Sequence, residues 1–303
     1  MALAWLGGLA LPGAWPGRGN AAAPFTEVAP GIHVRQGVCE DATAENDDEI
    51  ANIGFIVGRD AVMVIDPGGS GWDGARLRDT IRATTDRPIR YVVLSHVHPD
   101  HIFGASAFVA DKPVFVGHAR MPEALAERGD YYQHELAAIV GRERAGSWVM
   151  PTLLVRDQTE LDLGGRTLVL TAHGVAHTDN DLSVLDRQTG TLWAADLLFV
   201  DRIPSLDGSL VGWLKELDKM KTLPATHAVP GHGPVVVPWP AGAADEERYL
   251  RTLAREIRAL IVRNGDIETA VATVGLGERG RWKLFDDYNG HNVTAAFKEL
   301  EWE

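Results

Sequence analysis

The apolar and polar positions fall into short strand-like runs separated by helical stripes. Ile32-His33-Val34-Arg35 alternates apolar and polar, as a half-buried strand does. Residues 50–57 and 61–65 are apolar runs joined by Gly58-Arg59-Asp60, which predicts a hairpin. Asp66-Pro67-Gly68-Gly69 stops the second run. Leu77 and Ile81 then share one side of a short helix, with Asp73 near its start. Residues 89–94 read as a buried strand feeding directly into Ser95-His96, and 113–116 as another. Residues 119–146 are charged and helix-permissive, and predict an insertion over one face of the domain. Further strands are expected over 167–170 and 182–185, and Leu192-Trp193-Ala194-Ala195 leads to Asp196. Ser209 can cap a helix that carries Leu210, Trp213, Leu214 and Leu217 on one stripe. Ala228-Val229 leads into Pro230-Gly231-His232-Gly233-Pro234. Residues 245–263 form the clearest helix: Tyr249, Leu250, Leu253, Ile257, Leu260 and Ile261 share a face, and Asn264-Gly265 closes it. Strands come first, then helix and strand alternate, and the order repeats across the two halves. The expectation is an α/β (α+β) chain of two sheets with helices outside.

Composition narrows the class of protein. The chain has 303 residues, 45% hydrophobic and 23% charged, ordinary for a soluble globular enzyme. Its net charge of −13 repels phosphate backbones, so nucleic acid is not an expected partner. The single cysteine, Cys39, excludes an intramolecular disulfide and a multi-cysteine metal site. Residues 1–11 read MALAWLGGLAL, too short to span a bilayer as a helix, and small residues follow at Gly19-Asn20-Ala21-Ala22-Ala23. This resembles a secretory signal peptide cleaved near Ala21 or Ala22, although no Lys or Arg precedes Arg18. The expected organisation is a signal peptide over 1–22 and one domain over 23–303, with a C-terminal helical extension at 241–303. The expected location is periplasmic or secreted, with no membrane attachment once the signal is removed; the alternative, if the segment is not a signal, is cytoplasmic.

The segment richest in chemistry is His96-Val97-His98-Pro99-Asp100-His101, three imidazoles and a carboxylate in six residues. Imidazole and carboxylate are the usual ligands of zinc and similar divalent ions. His96 and His98, two apart in extended backbone, can point the same way. Asp100 and His101 fall where a helix over 102–108 should begin, and a helix N-terminus keeps the Asp100 carboxylate ionised. His177, Asp196 and His232 follow at strand ends or Gly-rich turns. Five His and two Asp are enough for two metals a few ångströms apart.

The order H-x-H-x-D-H, then His, Asp and His, together with Val64-Ile65-Asp66-Pro67-Gly68, resembles the metallo-β-lactamase superfamily. The resemblance runs from about Ile32 to Pro234 and implies an αββα sandwich with the site at one edge between the sheets. It implies that His96, His98 and His177 hold one metal, that Asp100, His101 and His232 hold the second, and that Asp196 bridges. Two divalent ions, zinc expected, follow from it. The stretches YVVLSHVHPDHIFGA, AHTDNDLSVLD, TLWAADLLFVDRIPSLDGSL and VPGHGP also look like the exported zinc metallohydrolases of bacterial quinoprotein (PQQ-dependent) dehydrogenase systems, relatives of the SoxH-type proteins. That suggests a functional link to such a dehydrogenase and names no reaction. Asp196 stands where the best-known zinc β-lactamases carry a metal-binding cysteine. The all-His/Asp set instead resembles the glyoxalase II, lactonase and phosphodiesterase branches.

The function these residues imply is a binuclear hydrolase. A metal-bridging hydroxide, oriented by Asp100, attacks a small-molecule ester, thioester or lactone. One alternative is a mononuclear iron oxidoreductase like the sulfur dioxygenases, for which Asp100, His101 and His232 would be surplus. The other is a non-catalytic accessory protein of the quinoprotein system. Around the ligands, Asp66 is expected to support the ligand loop through hydrogen bonds. Arg202 is a candidate anchor for a substrate carboxylate, with a surface ion pair as the plainer reading. His118 and His173 are candidates for the pocket wall, and Tyr131, Tyr132 and Trp148 for its roof; a structural histidine or apolar packing is the other reading of each.

Overall fold

The computed structural model describes residues 24–303; the expected signal segment at 1–22 lies outside the described residues. The first sheet contains seven strands in sequential order. They are β1 (Thr26–Ala29), β2 (Ile32–Arg35), β3 (Ile53–Val57), β4 (Val62–Ile65), β5 (Ile89–Val93), β6 (Val114–His118) and β7 (Leu153–Val155). β1 to β4 pair antiparallel and β4 to β7 parallel. The parallel steps need crossovers. These are α1 (Gly71–Thr84), the short α2 (Pro99–Ile102) with a 3-10 segment (Phe103–Asp111), and α3 (Met121–Val140) with α4 (Arg142–Ala145). The second sheet has the order β13-β12-β11-β10-β9-β8. Its strands are β8 (Gln158–Asp162), β9 (Thr167–Ala172), β10 (Leu182–Asp186), β11 (Thr191–Phe199), β12 (His227–His232) and β13 (Val237–Pro238). α5 (Leu210–Met220) makes the parallel crossover from β11 to β12. After β13 come α6 (Ala244–Ile261), α7 (Ile267–Thr273) and α8 (Phe285–Leu300).

Strand periodicity sorts the side chains into three cores. Met63 and Ile65 of β4 face the second sheet, where they meet Leu168, Leu170, Val184, Trp193 and Val229. Val62 and Val64 face the opposite way, against Leu77 and Ile81 of α1 and Phe103 and Phe108 of the 3-10 segment. Leu192, Ala194 and Leu198 of β11 turn outward onto Trp213 of α5, Leu253 of α6 and Phe297 of α8. Two sheets face one another and each is covered outside by helices, the αββα sandwich. Because both faces of β4 and β11 are buried, β4 is a continuous apolar run and β11 nearly so, broken within by Asp196.

Two expected elements differ. The helix expected over 102–108 is mostly 3-10: Gly104 lies against the backbone of Pro67 and Gly74, where a Cβ would collide, and the tighter helix permits that approach. The strand expected from residue 50 begins at Ile53. Asn52 leaves the ladder to donate its Nδ2 to the Pro230 carbonyl at 2.9 Å, and its backbone N–H to the Gly231 carbonyl at 2.7 Å. With the Leu182 N–H on the Ser95 carbonyl at 2.8 Å, these bonds join the two sheets at one edge. The ends of β5, β11 and β12 open at that edge.

Candidate metal centre

Seven side chains from five segments converge there. His96 and His98 leave the end of β5, and Asp100 and His101 lie in α2. His177 stands on the loop between β9 and β10, Asp196 within β11, and His232 at the end of β12. Asp196 is aimed inward by an irregularity: the β11–β12 register shifts on both sides of Ala195, which has φ +47°. Such a bulge re-aims the next side chain. On the neighbouring strand only glycine fits at 231, since a Cβ there would strike Asp196 Oδ1.

The ligand atoms form two groups, His96, His98, His177 and Asp196, and Asp100, His101 and His232, each within 4.8 Å of one another. His177 Nε2 lies 3.0 Å from His98 Nδ1 and 3.3 Å from His96 Nε2. Asp196 Oδ2 is 3.4 Å from His177 Nε2, 3.8 Å from His96 Nε2 and 3.3 Å from His232 Nε2. Its Oδ1 is 3.0 Å from His101 Nε2. Asp100 Oδ2 completes the second group, 3.3 Å from His232 Nε2 and 3.5 Å from His101 Nε2.

The outer ring nitrogens each face a polar partner, which fixes how the rings turn. His101 Nδ1 is 2.9 Å from Asp66 Oδ2, while Asp66 Oδ1 accepts the Ser95 N–H at 2.9 Å. His177 Nδ1 donates to the Ser205 carbonyl at 2.6 Å and His232 Nδ1 to the Ile50 carbonyl at 3.0 Å. His96 Nδ1 faces Ser95 Oγ at 3.0 Å, and His98 Nε2 faces Asp207 Oδ2 at 3.2 Å.

The electrostatics suit a cation. Burial holds His177 down to about 4 and His96 well below the ordinary imidazole value, so both present lone pairs. Burial alone would raise Asp100 and Asp196, but the imidazoles of His101 and His232 outweigh it and keep both carboxylates ionised. Burial opposes charge on His101 too, and the three carboxylates of Asp196, Asp100 and Asp66 outweigh it in the other direction. Two inward atoms, His101 Nε2 and Asp196 Oδ1, are buried and, although 3.0 Å apart, make no aligned hydrogen bond to each other or to any other group. Buried polar atoms are seldom left so. Unpartnered donor atoms within a set of imidazoles and carboxylates fit a divalent ion.

A cavity of about 350 Å³ opens over this cluster. Ile50, Tyr132, Leu136, Ile139 and Phe199 give it apolar walls, and Asp100, Asp196, His98, His177 and His232 lie along it. Arg202 lines it as well, buried, donating to the Glu40 carbonyl at 2.7 Å and to Tyr288 Oη at 3.0 Å, with Asp41 Oδ1 at 3.4 Å. Arg202 thus makes an ion pair with the exposed Asp41, but its own side chain is buried and both residues line the cavity. Asp48 lines the cavity too; burial, then the charges of Asp100 and Asp73, push its carboxyl well up.

Three of the residues expected around the pocket lie elsewhere. His173 is buried with both nitrogens engaged, 3.1 Å from Glu216 Oε2 and 2.8 Å from Ser183 Oγ. His118 accepts the Arg120 N–H at 3.0 Å and stays inside the fold. Tyr131 is 64% exposed. Its helical neighbour Tyr132, about 100° round the axis, takes the wall position instead. Asp207, Ser205 and Tyr288 had no signal in the sequence. Asp207 lies 109 positions from its partner His98.

Comparison with known proteins agrees with this architecture. The Metallo-beta-lactamase superfamily model matches residues 46–232. A linear primary-alkylsulfatase of Pseudomonas sp. (strain ATCC 19151) is 24% identical over 228 residues, 63% of this chain, which spans only 42% of that relative's length. Among solved structures, a metallo-beta-lactamase from Pontibacter korlensis aligns at 19% identity and TM-score 0.60, over 75% of this chain and 98% of its own. The stereoselective inverting sec-alkylsulfatase Pisa1 from Pseudomonas sp. aligns at 18% identity and TM-score 0.69, over 92% of this chain and 50% of its own. The chain belongs to the metallo-beta-lactamase superfamily.

Proposed function

We propose that the protein is a binuclear metal-dependent hydrolase of a small-molecule ester, thioester or lactone. The observation that carries this reading is the place of Asp196, within 3.4 Å of His177 in one group and 3.3 Å of His232 in the other. One group alone could serve a single ion; a carboxylate shared by both suits a pair. Two divalent ions, zinc expected, supply at such a site a water of lowered pKa and Lewis acidity for developing charge. His96, His98 and His177 would hold one ion, Asp100, His101 and His232 the other. The Asp100 carboxylate, ionised and on the cavity wall, accepts a hydrogen bond from the attacking water and so orients it. Ile50, Tyr132, Leu136 and Ile139 exclude bulk water and take the apolar part of the substrate. Arg202, steadied by Tyr288 and the Glu40 carbonyl, anchors an anionic group.

A sulfate ester is the second reading, supported by likeness to two alkylsulfatases, one of which aligns over 92% of the chain. Export through the segment 1–22 and a link to a quinoprotein dehydrogenase are further proposals, supported by the sequence stretches quoted above. The test is elemental analysis of protein purified without chelator, followed by turnover on a panel of ester, thioester, lactone and alkyl sulfate. About two equivalents of metal with hydrolysis is expected. A single iron with oxygen uptake on a persulfide would replace the reading with an oxygenase, and two metals without turnover with an accessory role.

A further inference from the structure

We infer that Arg128 is a positioning residue for the metal ligand His98, and that through it the cavity-facing side of α3 is keyed to the metal centre. The inference rests on the reading that His98 holds a metal. Among the five histidines, His98 is turned differently: it directs Nδ1 inward, toward His177, and Nε2 outward. The other four direct Nε2 inward. The inward Nδ1 of His98 can be a ligand only if the proton sits on Nε2, and the group that fixes this is the acceptor at the outer edge, Asp207 Oδ2.

Asp207 is itself held from two directions. Its backbone N–H donates to the His177 carbonyl at 3.0 Å, so its main chain is tied to another ligand. Its carboxylate is less constrained, with the side chain 29% exposed, and could turn to solvent. Arg128 Nη1 binds the same Oδ2 that faces His98, and so pins it. An isolated exposed ion pair is worth little, but here its geometry sets that of a ligand.

The helix carries the same contact to the substrate side. Positions 128, 132, 135, 136 and 139 share one face at 3.6 residues per turn. The last four, Tyr132, Glu135, Leu136 and Ile139, all line the cavity, and the Tyr132 ring stands edge-on to His98 at 6.3 Å. Arg128 thus lies one turn before the lining residues on the same side of α3 and is the point where that side is fastened to the ligand.

The experiment compares the full chain with R128M, R128K, D207N and the R128M/D207N double variant. Zinc affinity is measured by chelator competition, the spectrum of the cobalt-loaded form is recorded, and the metal-free proteins are melted. R128M is expected to weaken the tighter zinc site by roughly 10-fold, the low end for a partner that orients a ligand, and to alter the cobalt bands, with R128K restoring most of both. In the D207N background R128M should cost little more, because the arginine acts through that carboxylate. Unchanged zinc affinity in R128M, or an equal loss with and without Asp207, overturns the inference. If the parent chain binds no metal, the proposed function falls with it; if the parent binds two ions and R128M binds them equally well, only the role of Arg128 falls.

Discussion

At the scale of single residues, the Asp196 carboxylate faces His96 and His177 on one side and His101 and His232 on the other. Its negative charge would offset the repulsion of two cations at once, whereas each imidazole serves one. D196N keeps the shape and removes the charge. The second ion should be lost first, taking metal content from about two equivalents toward one, and hydrolysis should fall by roughly 10²–10³-fold, the scale of removing one positioned group from an active site. Metal analysis beside ester turnover checks this; two retained ions at an unchanged rate would mean that Asp196 holds neither. The reading of these residues from sequence had uneven success for a physical reason. Metal ligands must be of a few residue types, so HVHPDH, His177, Asp196 and His232 stand out, although Asp196 lies within β11 and not at a strand end as expected. Asp66 does so as well, because it ends a buried strand; its carboxylate faces the His101 ring and accepts the Ser95 N–H. The groups that orient the ligands carry no such mark. Asp207, the Ser205 carbonyl and the Ile50 carbonyl reach His98, His177 and His232 only through the fold.

Elements were legible where local chemistry alone decides them. Ser209 caps α5 as its place before Leu210, Trp213 and Leu217 implied: its Oγ accepts the Gly212 N–H at 2.8 Å and donates to Glu299 Oε1. Glu299 Oε2 takes the Leu210 N–H at 2.7 Å, so a second orphan donor of the helix start is met by α8. S209A should therefore cost about 1–2 kcal/mol, the upper part of the range for a cap, since the hydroxyl has two partners. Urea unfolding of the metal-free protein measures it, and a loss under about 0.3 kcal/mol would show that Glu299 caps the helix unaided. The hairpin of β3 and β4 and the stripe of α6 were equally plain, because periodicity and turn residues agree. β7, β8 and β13 were not: β7 and β13 have three and two residues, and β8 alternates around a single buried leucine. The 3-10 segment escaped the pattern because a contact with Pro67 and Gly74, some 30 residues upstream, sets its pitch.

Across the whole molecule, the C-terminal helices reach the site at two points, Tyr288 on the cavity wall and a buried side chain behind the ligand loop. Trp282, Phe285, Val293, Phe297 and Leu300 share a core with β11 and α5, so this part of the chain packs as an outer layer of the sandwich. Within that layer Asn292 of α8 is fully buried. Its Oδ1 accepts the Leu206 N–H at 2.9 Å, and its Nδ2 donates to the Pro204 carbonyl at 2.6 Å and to Tyr249 Oη at 3.0 Å. The loop it grips supplies the Ser205 carbonyl to His177 and the Asp207 carboxylate to His98. Two ligands of one ion group therefore take their orientation from a segment more than 80 residues further along the chain. N292A leaves a buried N–H and a buried C=O without partners, at about 1–3 kcal/mol each. It should also loosen the loop, and then the damage exceeds the lost hydrogen bonds. A metal that binds only the folded state raises the unfolding midpoint in proportion to its affinity. The expected result is a lower midpoint for metal-free N292A and, in addition, a smaller rise on adding zinc than the parent shows. Equal rises in the two proteins would mean that α8 supports the sandwich while the ligand loop keeps its shape without it.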